Sequence, residues 1–158
     1  MVIWIIGLSG SGKSFLASKL KKKIKNSVIV DGDEVRKYFT FNLGYSKRDR
    51  KKNSHFIQTL CKFLERQKFT VICPILSIFP SHQKQNRKIF KKYLQIYLRS
   101  DIKILQKKNK KNIYRLKKNV VGRDIKFPKP FKSDFIFQNQ YDRKVNQLIK
   151  KVLLKINA

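Results

Sequence analysis

The chain has 158 residues, with 39 Lys and Arg against nine Asp and Glu, a net charge of +30, and 41% hydrophobic and 12% aromatic residues. That is the size and apolar content of one ordinary domain with its own core, taken as residues 1–158, and it excludes a disordered chain as the expectation despite the charge. No apolar run reaches the ~20 residues that cross a bilayer, and the run Val2–Ile6 lacks the basic flank and length of a secretion signal, so a cytoplasmic protein with no membrane partner is expected.

Val2-Ile3-Trp4-Ile5-Ile6 reads as a strand buried on both faces. It runs into Gly7-Leu8-Ser9-Gly10-Ser11-Gly12-Lys13-Ser14, and Lys13 to Ile24 then reads as a helix with Leu16, Leu20 and Ile24 on one stripe. Ser27 to Val30 is a second strand, ending at Asp31-Gly32-Asp33-Glu34. Ser46 to Gln67 is expected as a helix, because Ser46 and Asp49 form a capping pair and Phe56, Ile57, Leu60, Cys61 and Leu64 keep helical spacing. Phe69 to Cys73 is a third strand, ended by Pro74, and Ser81 to Lys91 a helix. Leu94 to Leu98 is a fourth strand, Phe135 to Phe137 a short fifth, and Tyr141 to Ile156 a closing helix with Val145, Leu148, Ile149, Val152 and Ile156 facing inward. Strands alternating with helices imply an α/β fold with a five-stranded parallel sheet and helices on both faces. The weak, basic, Pro-marked stretch from Lys107 to Pro130 has the length of a lid. Cys61 and Cys73 lie in apolar surroundings without metal-binding spacing and read as buried free thiols.

The segment Gly7 to Ser14 matches G-x-x-x-x-G-K-[ST] and stands between a buried strand and a helix, the context in which it cradles phosphate. Glycines let backbone N–H groups turn toward phosphate oxygens, and the helix N-terminus adds partial positive charge. Lys13 is placed to bridge the β- and γ-phosphates of ATP and the Ser14 hydroxyl to ligate Mg²⁺. Of the nine acidic residues, three fall in Asp31-Gly32-Asp33-Glu34, at the carboxyl edge of the sheet where ligands of such folds bind. A carboxylate there orients an acceptor hydroxyl or takes its proton, or else Asp33 merely caps a short helix.

Taken in order, GLSGSGKS, VDGDEVR, NLGYSKRDRKKN, ILS after the third strand, and NIYRLKKNVVGRDIKFPKP resemble adenylylsulfate kinase, from about Val2 to Asn139. The resemblance implies a P-loop NTPase three-layer sandwich with a basic lid at about 107–130, and transfer of the γ-phosphoryl group of ATP to the ribose 3′-hydroxyl of adenylyl sulfate. It assigns Asp33 to that hydroxyl, Arg36, Arg50 and Asn53 to the acceptor's phosphate and sulfate oxygens, and Tyr45 to stacking on its base. Ser77 matches the serine after the third strand, and Arg115 and Lys117 fall in the lid over the phosphates. The chain departs from the family at Ile78-Phe79-Pro80, at Lys107-Lys108-Asn109, and at Val120, which replaces a second stacking phenylalanine.

The reading drawn from sequence is a kinase using ATP and Mg²⁺, with Lys13, Asp33 and Ser77 as its catalytic residues. Its partners are small-molecule nucleotides, with a homodimer left open and nucleic acid not expected. Adenylyl sulfate is the first acceptor, in sulfate assimilation. A cytidine-type activated nucleotide of surface-polysaccharide synthesis is the alternative, and a non-catalytic basic nucleic-acid binder is the reading from another class. Lysines spread along the whole chain, in the company of Asn, Ile and Phe, fit compositional drift better than a nucleic-acid surface.

Overall fold

The first strand sets the architecture because every one of its side chains is apolar and buried. In the computed structural model, which describes residues 1–38, 43–107, 113–116, 118–138 and 144–157, β1 (Val2–Ile6) lies at the centre of a five-stranded parallel sheet. The other strands are β2 (Ser27–Ile29), β3 (Thr70–Ile75), β4 (Tyr93–Arg99) and β5 (Phe135–Gln138), in the order β2-β3-β1-β4-β5. Val2 of β1 stands level with Val71 of β3 and Tyr93 of β4.

The two-residue period of β1 divides its side chains between two layers. Ile3 and Ile5 pack with Ile72, Leu94, Ile96 and Leu98 against α1 (Lys13–Lys21) and α7 (Val145–Asn157), through Leu16, Leu20, Leu148 and Val152. Val2, Trp4 and Ile6 pack on the opposite face with Val71, Cys73 and Ile75 against Ile57 and Cys61 of α3 (Lys47–Arg66). A strand covered twice has no polar alternation to show, which is why β1 reads as an unbroken apolar run. Four further helices complete the described chain: α2 (Gly32–Arg36), α4 (Pro80–Ile89), α5 (Ile102–Lys107) and α6 (Ile113–Leu116). Among the described residues no helix is long and apolar enough to cross a membrane.

Several boundaries differ from the sequence reading. Pro74 lies inside β3 rather than ending it. Thr70 N–H bonds Asn26 and Ile72 C=O accepts from Val30, so the even-numbered residues of β3 face β2, and β2 has ended by the level of Pro74. The missing proline N–H therefore removes no ladder bond. α4 starts one residue early because Pro80 occupies its first turn, where its fixed φ and absent N–H are tolerated, and it closes at Ile89 rather than Lys91. α1 closes at Lys21, three residues short of Ile24. α2, α5 and α6 are short helices that periodicity did not separate from loop, and Tyr141, the expected start of the last helix, lies outside the described residues.

Candidate active site

The phosphate loop leaves β1 through a backbone too close for a side chain. A Cβ on Gly7 would stand 2.5 Å from Ser11 Oγ and 2.8 Å from the Leu98 carbonyl oxygen. Gly10 and Gly12 have φ of 81° and 91°, the left-handed region that glycine enters without steric cost. Gly12 is also the N-cap of α1 and has no side chain to cap it, which leaves room for an anion at the helix N-terminus. Lys13 Nζ donates to the Leu8 carbonyl at 2.8 Å, arching back over the loop. Ser14 Oγ donates to Asp31 Oδ2 at 2.9 Å, across to the end of β2.

Asp31 is the pivot of the second segment. Its other oxygen, Oδ1, accepts from Asp33 N at 2.9 Å and caps α2. The capping role that the sequence left open for Asp33 therefore belongs to Asp31, and Asp33 is exposed. Among the described residues its carboxylate has no hydrogen-bond or ion-pair partner. Every other acidic residue among those described has a partner: Glu34 pairs with Lys37, Asp49 with Ser46, Glu65 with Lys62, Asp124 with Arg123, Asp134 with Arg87, and Asp101 caps α5 through Lys103 N. In a chain of net charge +30, one carboxylate left free at the sheet's carboxyl edge calls for a functional reason.

Arg36, at the end of α2, donates to the carbonyls of Leu43 (3.2 Å) and Gly44 (2.6 Å). Arg50, in the first turn of α3, donates through Nε to the Tyr45 carbonyl at 3.0 Å and through Nη2 to the Asn119 carbonyl at 2.9 Å, tying α3 to the lid segment. Both guanidinium groups lie over the Tyr45 ring, at 4.7 and 5.4 Å from its centre. Burial, and then the neighbouring Arg36 cation, pull the Arg50 pKa below its ordinary value, and Asp33 acts in the opposite sense. Two cations this close, without a carboxylate bonded between them, make a site for an oxyanion. Asn53, buried beneath them, donates to the Gly32 carbonyl at 3.3 Å, and its Oδ1 is buried without a partner.

Ser77 lies within the loop that joins β3 to α4, at a φ of 48° and 5% exposed. Its Oγ accepts from Trp4 Nε1 at 3.1 Å, so the hydroxyl is held inward. Val120 is 4% exposed and packs with Leu8, Ile78, Phe79, Leu105 and Tyr114, in the cluster that seats the lid on the phosphate loop. Tyr114 Oη donates to the Ser9 carbonyl at 2.9 Å, a second tie between lid and loop. Lys117 and the side chain of Arg115 lie outside the described residues. The structure thus brings together Lys13, Ser14 and the Asp31–Asp33 segment, and separately groups Arg36, Tyr45, Arg50 and Asn53, with Asp33 and Arg36 on the same short helix. Sequence reasoning passed over the roles of Asp31 and Tyr114. The D-x-D spacing, in which an Asp side chain bonds the backbone two residues on, is the signal that carried the first.

The family model described as adenylylsulphate kinase matches residues 1–138. A cytidine diphosphoramidate kinase of Campylobacter jejuni is 36% identical over 166 aligned positions, which cover 97% of this chain and 96% of that protein. A probable adenylyl-sulfate kinase of Bacillus subtilis is 28% identical, over 99% of this chain and 86% of that one. Among solved structures, the Mycobacterium tuberculosis APS kinase in complex with AMPPNP and APS superimposes with a TM-score of 0.87 at 21% identity, over 99% of this chain and 97% of that one.

Proposed function

This chain belongs to the adenylylsulphate kinase family, and from that premise we propose that it phosphorylates the ribose 3′-hydroxyl of a cytidine nucleotide carrying an activated diphosphate. The chain is an ATP-dependent phosphotransferase with the P-loop kinase fold of that family, and the non-catalytic nucleic-acid reading gives way. The observation that carries the chemistry is Asp33. It is an exposed carboxylate without a partner among the described residues, on a five-residue helix whose cap touches Ser14 of the phosphate loop and whose last residue is Arg36.

The work is divided among the residues as follows. The loop amides and Lys13 hold the β- and γ-phosphates and meet the charge that spreads over the γ-oxygens as the bond loosens. Lys13 exchanges its Leu8 carbonyl partner for phosphate when ATP arrives. Ser14 Oγ and the Asp31 carboxylate, 2.9 Å apart, are hard oxygen donors at the end of the loop and fit Mg²⁺, which takes one or two carboxylates together with phosphate and water. A Mg²⁺ held by these two residues would supply positive charge to offset that of the phosphates. Arg36 and Arg50 grip the acceptor's charged groups, with Asn53 beneath them. Asp33 orients the acceptor hydroxyl and accepts its proton. Ser77 supports the acceptor-side loop from within, and Arg115 and Lys117 add lid charge.

The choice of acceptor reverses the order drawn from sequence. The Campylobacter cytidine diphosphoramidate kinase is similar over almost the full length of both chains. Position 120, where the family resemblance places a second stacking phenylalanine, is a valine buried in the lid's core. The second reading, adenylyl sulfate, rests on the family match over residues 1–138 and on Tyr45, an aromatic residue 41% exposed at the arginine pair. The test offers γ-labelled ATP with cytidine diphosphoramidate, CDP, adenylyl sulfate or no acceptor. Label in a 3′-phosphorylated cytidine product supports the proposal, label in 3′-phosphoadenylyl sulfate supports the second reading, and label in neither overturns both.

A further inference from the structure

We infer that Gln83, which touches neither the phosphate loop nor the arginine pair, is a positioning residue that fixes the acceptor-side loop to the base of the lid. The inference rests on the kinase reading above. Gln83 sits in the first turns of α4 and is fully buried. Its Nε2 donates to the Ser77 carbonyl at 2.8 Å and lies 3.3 Å from Ser77 Oγ. Its Oε1 accepts from the Phe131 backbone N–H at 2.7 Å. The amide orientation is forced, since a carbonyl only accepts and an N–H only donates.

These two partners belong to segments that must cooperate. Ser77 lies within the loop joining β3 to α4 and holds a left-handed backbone (φ 48°) that a non-glycine residue keeps only when its surroundings impose it. Trp4 Nε1 and Gln83 Nε2 are the surroundings that impose it. Phe131 lies on the return leg of the lid, just past Phe127, which stacks on Tyr97 at 5.9 Å. The Phe131 carbonyl in turn accepts from Gln95 Nε2 at 2.7 Å. One buried amide therefore joins residues 48 apart in sequence and sets the distance between the acceptor-side loop and the return leg of the lid segment. Only a side chain that donates at one end and accepts at the other satisfies both sites. A methionine of similar shape satisfies neither, and a glutamate carboxylate satisfies Phe131 alone.

That asymmetry supplies the test. A protonated glutamic acid has one O–H donor and one carbonyl acceptor, the same pattern as the amide, and burial raises its pKa. Gln83→Met and Gln83→Glu are compared with wild type by acceptor and ATP kinetics from pH 5.5 to 8.5, with cytidine diphosphoramidate as acceptor. Emission of Trp4, the one tryptophan of the chain, reads the Ser77 loop directly without any ligand. Gln83→Met is expected to raise acceptor KM about tenfold or more and to lower kcat, with ATP KM changed less than about twofold. Gln83→Glu is expected to share that defect at high pH and, relative to wild type at each pH, to recover as pH falls, in kinetics and in Trp4 emission alike. Wild-type acceptor kinetics in Gln83→Met overturn the inference, as does a Gln83→Glu defect that pH does not relieve. If Gln83→Met does not fold, the pH series on Gln83→Glu decides alone. Should wild type phosphorylate neither cytidine diphosphoramidate nor adenylyl sulfate, the kinase reading fails. The Trp4 emission series then still judges Gln83.

Discussion

Replacing Asp33 by Asn separates catalysis from folding because the structure gives its carboxylate no structural task. Asp31, not Asp33, caps α2, and Asp33 contributes to that cap only its backbone N–H, which Asn retains. Asn keeps the size and loses the charge and basicity. An exposed side chain without a partner changes stability by no more than about 0.5 kcal/mol, or a shift in Tm below about 2 °C in a chain of this size. Removing a general base costs ~10²–10⁴ in rate, about 3–5 kcal/mol of barrier. Asp31→Ala is the contrasting variant. It loses the cap (about 1 kcal/mol) and the Ser14 hydrogen bond (about 1 kcal/mol), so Tm should fall by roughly 4–8 °C. The assay is initial rate of labelled phosphoryl transfer at saturating ATP, with ATP affinity from a separate titration and Tm from a thermal melt. Asp33→Asn is expected to hold Tm and ATP affinity while kcat falls at least a hundredfold. Near-normal kcat would refute the assignment of Asp33 to the acceptor hydroxyl.

Lys13→Ala should retain the fold and lose ~10²-fold or more in kcat, since its charge is placed to meet that of the transferring phosphoryl group. An unchanged ATP-dependent rate would sink the phosphate-loop mechanism. Val120→Phe places a larger ring in the buried lid cluster, which costs about 1–3 kcal/mol in thermal melts. In acceptor competition the adenine-to-cytosine ratio should stay unaltered, because the ring enters the lid's core. A shift toward adenine would show that position 120 meets the base. His82 is buried against Ser54, and burial, then His55 and Lys51, lower its pKa from the ordinary 6.5. The unfolded chain therefore binds more protons below pH 6.5, so its stabilisation is complete above 6.5 and is lost as pH falls through the lower folded value. Denaturant midpoints at pH 7 and 5.5 should differ less in His82→Gln than in wild type, and equal pH dependence would clear His82 of that role.

The parallel sheet was legible because short, largely apolar runs alternate with segments of helical spacing, and Ser46 with Asp49 did mark the start of α3. The phosphate loop was legible because it needs glycine and lysine at fixed offsets. The short helices were not. α2 is five residues and α6 four, too few to show a period, and α2 is defined instead by the Asp31 cap. Pro74 misled because the ladder it would break had already ended at β2. The cluster Gln58, His82, Gln83, Asn86 and Gln95 is polar and buried, so hydropathy assigns these residues outward, and only tertiary partners explain them. The engagement of Ser77 by Trp4 spans 73 residues and no local pattern could signal it.

The most direct measurement of the central claim is phosphoryl transfer from γ-labelled ATP by the wild-type protein to cytidine diphosphoramidate and to adenylyl sulfate in competition, with the site of phosphorylation read by NMR of the product. The account predicts ATP-dependent label on a ribose 3′-hydroxyl, with a higher kcat/KM for the cytidine acceptor. Preference for adenylyl sulfate would contradict the choice of acceptor, and ATP turnover without a phosphorylated nucleotide would contradict the mechanism itself.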